Sequence, residues 1–125
     1  VADTKIIPET NWRHVALLKR ANKLLVFYSR YGDTPGRIMA SSFDVSDPDI
    51  QKWSTPSKLI EVLKPEHEYE GSKFPLKPSG SGRSNLNELR DPCILEDDGK
   101  VYLYYSVKGE VGIAAAELFI DEVIE

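Results

Sequence analysis

The residues best suited to chemistry are Arg90 and Asp91, in the tripeptide Arg90-Asp91-Pro92 just before an apolar run. Arg13 and His14 stand 77 residues earlier in the same local setting. An aspartate, a histidine and two arginines brought to one spot form a polar centre, in which a like charge raises a carboxyl pKa and a cation lowers it. Glu70 and Glu88 lie in the long segment before Asp91 and are within reach of such a centre. Each residue also has a structural reading. Asp91 can cap the strand entry or pair with Arg90, His14 can be a structural histidine, and Glu70 and Glu88 can simply face solvent. Other polar groups point to less. Asp44, Asp47 and Asp49 lack the glycine and the bidentate glutamate of a calcium loop. His14 and His67 are too isolated to predict zinc, so no metal site is expected. Gly80-Ser81-Gly82-Arg83-Ser84 lacks the Gly-Lys-Ser/Thr ending of a phosphate loop.

The elements that position these residues come from an internal repeat. Arg13 to Leu18 is echoed by Arg90 to Leu95, and Lys23-Leu24-Leu25-Val26-Phe27-Tyr28-Ser29 by Lys100-Val101-Tyr102-Leu103-Tyr104-Tyr105-Ser106, both at an offset of 77 with no gap. Gly32-Asp33 then matches Gly109-Glu110. After a two-residue adjustment Arg37-Ile38-Met39-Ala40 matches Gly112-Ile113-Ala114-Ala115. Self-similarity of this kind marks a repeat architecture. Strands are expected over Val15–Leu18, Leu24–Tyr28, Ile38–Phe43 and Leu59–Leu63, then over Pro92–Leu95, Val101–Val107 and Val111–Leu118, with Phe119-Ile120 and Val123-Ile124 adding a little more. Leu24 to Tyr28 is too uniformly apolar for a strand with one wet face and reads as buried on both. Asp98-Gly99 is a strong hairpin signal, because glycine accepts the positive φ that the turn needs. The only helix-like stretch is Asp49 to Trp53. Each unit is strand, turn, strand, turn, strand, which is the pattern of a propeller blade. The expected fold is therefore all-β and of β-propeller type. It is a single domain over 1–125, with blade one at about 12–63, a linker loop at 64–89 and blade two at about 90–120.

The blade containing Arg90-Asp91-Pro92, the Asp98-Gly99 turn and Tyr102-Leu103-Tyr104-Tyr105-Ser106 resembles the five-bladed propeller glycoside hydrolases of families 43, 32, 117 and 130. The first unit is similar to blades of the same proteins through Leu25-Val26-Phe27-Tyr28-Ser29-Arg30, and Tyr69-Glu70-Gly71 to Pro78-Ser79 resembles the loop before their Arg-Asp-Pro blade. The resemblance implies two antiparallel blades of an incomplete five-bladed propeller. It implies that Asp91 tunes the acid or stabilises the transition state, held by an arginine, and that His14 is the acid, as in family 117-type enzymes. Arg90, Arg13 and Glu70 become candidate substrate-binding residues. The first unit departs from the pattern by having Arg13-His14 where a catalytic blade often carries an aspartate. No clear acid glutamate follows the Arg-Asp-Pro blade. A glycosidase needs two carboxyl groups, about 5 Å apart for retention or about 6.5–9.5 Å for inversion. Trp12, Trp53, Tyr28, Tyr31 and Tyr105 could stack on sugar rings or fill a core. The expected function is thus a glycoside hydrolase-like protein acting on or binding a glycoside, with no cofactor. The alternatives are a non-catalytic carbohydrate- or protein-binding module, or an inactive fragment of a larger propeller.

Composition agrees with a globular domain: 41% hydrophobic and 10% aromatic residues. The net charge of −4 offers no electrostatic attraction to nucleic acid, and no apolar stretch approaches the length of a membrane span. Cys93 is the only cysteine and cannot pair within the chain, which leaves the compartment open. Two blades do not close a propeller. The chain therefore reads as a piece of something longer, or as one that forms a homo-oligomer through exposed blade edges.

Overall fold

The structure, a computed structural model, describes residues 11–53 and 58–123. It is all-β in its regular elements, with two antiparallel sheets. Strands β1 (Trp12–Arg20), β2 (Lys23–Arg30), β3 (Ile38–Asp44) and β4 (Ile60–Leu63) form the first sheet in that order. Strands β5 (Arg90–Asp97), β6 (Lys100–Val107) and β7 (Gly112–Leu118) form the second. The repeat is conformational as well as sequential. Ala21 and Asp98 hold the same turn position 77 residues apart, and both have φ of 50°. Gly32 and Gly109, another matched pair, have φ of 94° and 83°. Two short 3-10 turns, Ile50–Lys52 and Glu68–Glu70, interrupt the connections. Beyond Leu118 the expected strand extension is corrected: Ile120–Val123 is a short helix, α1, and Ile124 lies outside the described residues.

The two sheets bury one face of each against the other. From the first come Leu18, Leu25, Phe27, Ile38 and Ala40; from the second come Val101, Leu103, Tyr105 and Val107. Pairing across β1–β2 (Ala16 with Phe27, Leu18 with Leu25) puts alternate residues on this face, as a pleat of period two requires. Each fully buried Leu or Phe contributes roughly 1.5–3 kcal/mol over an exposed one. The other face of the first sheet is covered too. Val26, Tyr28, Met39 and Phe43 are buried there, and the Trp12 ring stacks on Tyr28 at 3.5 Å between centroids. Leu25 to Tyr28 is therefore buried on both faces, as its uniform apolar character predicts.

Candidate functional site

β1 and β5 pack beside each other, and both are bulged near their starts. Register shifts between Arg13 and Ala16 in β1, and between Arg90 and Cys93 in β5. At the bulges, His14 has φ of 53° and Asp91 has φ of 55°. A left-handed residue with a Cβ costs about 1–2 kcal/mol. Bulges re-aim side chains and cluster next to active sites, and backbone strain concentrates there too. Here both repeats hold the strain at matched positions, and the two side chains meet. His14 Nδ1 lies 3.7 Å from Asp91 Oδ1, with the side chains 63% and 34% exposed. That distance is within ion-pair range but too long for a hydrogen bond. Oδ1 of Asp91 accordingly has no hydrogen-bond partner, while Ser106 Oγ donates to Oδ2 at 3.2 Å.

The arginines beside them do a different job. Arg13 and Arg90 are buried, and both reach Glu88: Arg13 Nη2 at 3.1 Å and Arg90 Nη2 at 2.6 Å from the same Oε2. Arg13 also donates from Nε to Ser29 Oγ at 3.1 Å, from Nη1 to the Gly80 carbonyl at 2.9 Å, and from Nη2 to Ser79 Oγ. Its guanidinium lies 4.2 Å from the centroid of the half-exposed Tyr31 ring. Arg90 donates to the Gly82 carbonyl, and its Nη1 is 3.2 Å from Glu110 Oε2. Both arginines, candidates for binding substrate, thus have their donors directed largely at the protein.

The solvated readings of Glu70 and Glu88 are corrected, because both are buried, at 2% and 3% exposure. The sequence showed a long connection, and a long connection is ordinarily wet. In this one Glu70, Gly71, Ser79 and Asn87 to Leu89 are drawn in, and the rest is exposed or half-buried. Gly36 forms a parallel bridge with Glu88, and a Cβ on Gly36 would sit 2.4 Å from Glu88 Cγ, so no larger residue fits there without a shift. The loop stitches the two matched turns together: Gly32 N donates to the Ser79 carbonyl at 2.9 Å, Gly109 N to Glu88 at 3.1 Å and Glu110 N to Arg83 at 2.7 Å. Glu70 anchors its other end. One carboxylate oxygen accepts from the backbone N–H of Glu66 and His67, each at 3.0 Å, and the other accepts from the Tyr105 hydroxyl at 2.7 Å. Burial first, and the adjacent Glu70 second, push the Tyr105 phenol above the ordinary tyrosine range.

An open cavity of about 550 Å³ lies over this end of the second sheet, lined by Asp91, Ser106, Glu110, Val111, Gly112 and Ile113. Glu110 is a second carboxylate on the same cavity, absent from the sequence-derived candidates. Its signal was the match of Gly109-Glu110 to Gly32-Asp33 in the repeat. The pole therefore offers Asp91, His14, Ser106 and Glu110 outward, above a buried Arg13–Glu88–Arg90 clamp. Among the described residues, no group of three or more His, Cys, Asp or Glu side chains converges as metal ligands would.

No family model and no solved structure matches the sequence. It is 38% identical over 108 residues to a protein of Acanthamoeba polyphaga mimivirus titled "Uncharacterized protein R118". The match covers 85% of this chain and 30% of the viral protein, so the chain spans less than a third of that relative's length.

Proposed function

We propose that this chain is a two-blade portion of a glycoside hydrolase-like propeller and binds a glycoside at the pole where His14 and Asp91 meet. The observation that carries the reading is the pair of matched, strained bulges that bring these two side chains to 3.7 Å beside an open cavity. Carboxylate and hydroxyl groups suit a sugar, whose hydroxyls both donate and accept. Asp91 and Glu110 accept, and Ser106 does either. Tyr31 offers a half-exposed ring for stacking. Arg13 and Arg90 act as positioning residues, because they fix Glu88 and the loop beneath.

In the hydrolytic form of this reading, the exposed His14 gives a proton to the leaving oxygen as the glycosidic C–O bond breaks, Asp91 stabilises the positive charge that develops at the anomeric carbon, and water adds at that carbon with its proton returning to His14. The mimivirus protein supports a larger whole. If 108 residues are 30% of it, it has roughly 360 residues, enough for between four and five units of 77. A non-catalytic binding module is favoured by one feature: Glu88, the carboxylate at the centre of the pole, is occupied by two guanidiniums.

The test is a panel of aryl glycosides and oligosaccharides, assayed for binding by calorimetry and for turnover by product release. At least one member should bind saturably, and Asp91→Ala should weaken binding or turnover more than about tenfold while leaving circular dichroism unchanged. Turnover selects the enzyme reading, and binding without turnover selects the module. Affinity unchanged in Asp91→Ala defeats both.

A further inference from the structure

We propose that the loop from Lys77 to Asn85 holds an oxyanion, and that the glycoside bound at the pole is one with acidic substituents, a carboxylate or a sulfate ester. The inference rests on the glycoside reading of the pole. Charge identifies the loop. Residues 71–87 contain Lys73, Lys77 and Arg83 and no aspartate or glutamate, in a chain of net charge −4. All three cations are exposed. Lys73 is taken up by Glu68 at 3.4 Å, whereas among the described residues Lys77 and Arg83 make no ion pair. The buried clamp does not neutralise them. Its arginines, Arg13 and Arg90, are matched by Glu88 and Glu110, so Lys77 and Arg83 are positive charge in excess.

The backbone of the same loop is turned to suit an anion. The Gly80 carbonyl accepts from Arg13 at 2.9 Å, the Gly82 carbonyl from Arg90, and the Arg83 carbonyl from the Glu110 N–H at 2.7 Å. These three peptides are trans. In a planar trans peptide the N–H points opposite to the C=O. The N–H groups of Ser81, Arg83 and Ser84 therefore face away from the clamp and from the Gly109-Glu110 turn. All three residues are exposed, and among the described residues none of these N–H groups donates within the chain. Outward backbone N–H groups beside unmatched cations attract an anion, and the Ser81 and Ser84 hydroxyls add donors. A separate cavity of about 210 Å³ adjoins the loop, with Lys77, Gly80 and Gly82 in its lining. The loop also borders the sugar site. A Cβ on Gly109 would lie 2.8 Å from the Arg83 carbonyl oxygen, so the loop rests directly on the turn whose Glu110 lines the larger cavity. Asp91 and Glu110 accept hydroxyls there and repel an acid. The acidic group of a neighbouring sugar unit lies over the loop instead.

Calorimetric titration with matched pairs tests the proposal: an oligogalacturonate against its methyl ester, and a dextran sulfate oligosaccharide against the dextran oligosaccharide. In at least one pair the acidic member should bind at least about tenfold more tightly. That excess should shrink as salt rises from about 0.01 to about 0.15 M. Lys77→Gln combined with Arg83→Gln, both at exposed positions, should bring the acidic member down to the affinity of its neutral partner with unchanged circular dichroism. Amides of Ser81, Arg83 and Ser84 should shift with the acidic member and stay still with the neutral one. Equal affinity within both pairs, or a preference that survives the double substitution, overturns the inference and leaves the glycoside reading standing. Inorganic sulfate that binds as tightly as the sulfated sugar assigns the loop to a free anion and overturns the ligand named here. An acidic member whose binding is indifferent to Asp91→Ala overturns the sugar site at the pole, and this ligand with it. No binding by any member overturns both.

Discussion

Replacing Glu88 with alanine is expected to remove a large part of the stability of this fold. The Glu88 side chain is 4% exposed and is shared by two guanidiniums that are themselves 7% and 6% exposed. Removing one partner of a buried ion pair costs about 3–5 kcal/mol, because the charge left behind has lost both water and counter-charge. The loss falls unequally. Arg13 keeps Ser29, Ser79, Gly80 and the Tyr31 ring. Arg90 keeps Gly82 and the half-exposed Glu110, and its Nε has no partner at all. We therefore expect about 4 kcal/mol, nearly all of it through Arg90, against a total of about 5–15 kcal/mol for a domain. At roughly 3–6 °C per kcal/mol for a chain of this size, the melting temperature should fall by about 12–24 °C. Urea unfolding with linear extrapolation measures the change. Glu88→Gln, which keeps the shape and one acceptor, should lose about half as much. Replacing Arg13, Glu88 and Arg90 together by methionine or leucine should recover most of the loss, since an apolar substitute strands no charge. A Glu88→Ala protein within about 1 kcal/mol of the parent would refute the reasoning, because the clamp would then carry no net desolvated charge.

Tyr105 holds its proton more tightly when folded than when unfolded, so its contribution is complete below the unfolded value of about 10 and is lost as pH rises beyond it. Denaturant midpoints should therefore drop in alkali above about pH 10, and Tyr105→Phe should flatten that part of the profile while lowering stability by about 1.5–3 kcal/mol at neutral pH. Gly71 has φ of 98°, and a Cβ there would lie 2.2 Å from the Leu86 carbonyl oxygen. Gly71→Ala should cost about 3 kcal/mol or more and speed hydrogen exchange over Glu66 to Ser72. Gly99→Ala, at φ of 75° with nothing nearby, should cost only about 1 kcal/mol.

The repeat made most of the fold legible. Matched runs located six of the seven strands, and the uniform apolar character of Leu24 to Tyr28 identified the strand covered on both sides. The bulges were not legible. Asp and His enter a left-handed backbone more often than most residues with a Cβ, but that preference alone does not place a bulge, and the repeat match pairs His14 with Asp91 without showing that their side chains meet. Burial of Glu70 and Glu88 was hidden for a related reason. Their partners, Tyr105, Arg13 and Arg90, are between 2 and 75 residues away in sequence, and the intervening glycines and prolines read as a wet loop. Glu110 was visible as half of a repeat match, but nothing local marked it as lining a cavity with Asp91.

The proposed glycoside site lies where the two repeats meet. The most direct measurement is a nitrogen–proton correlation titration of the chain with the tightest-binding member of the glycoside panel. Amides of His14, Asp91, Ser106 and Glu110 are predicted to shift together along one saturable curve. Amides at the opposite end of the sheets, around the separate cavity lined by Arg20, Lys100 and Phe119, are predicted to stay still. Shifts confined to that opposite end, or saturable shifts that leave His14 and Asp91 unmoved, would contradict the account.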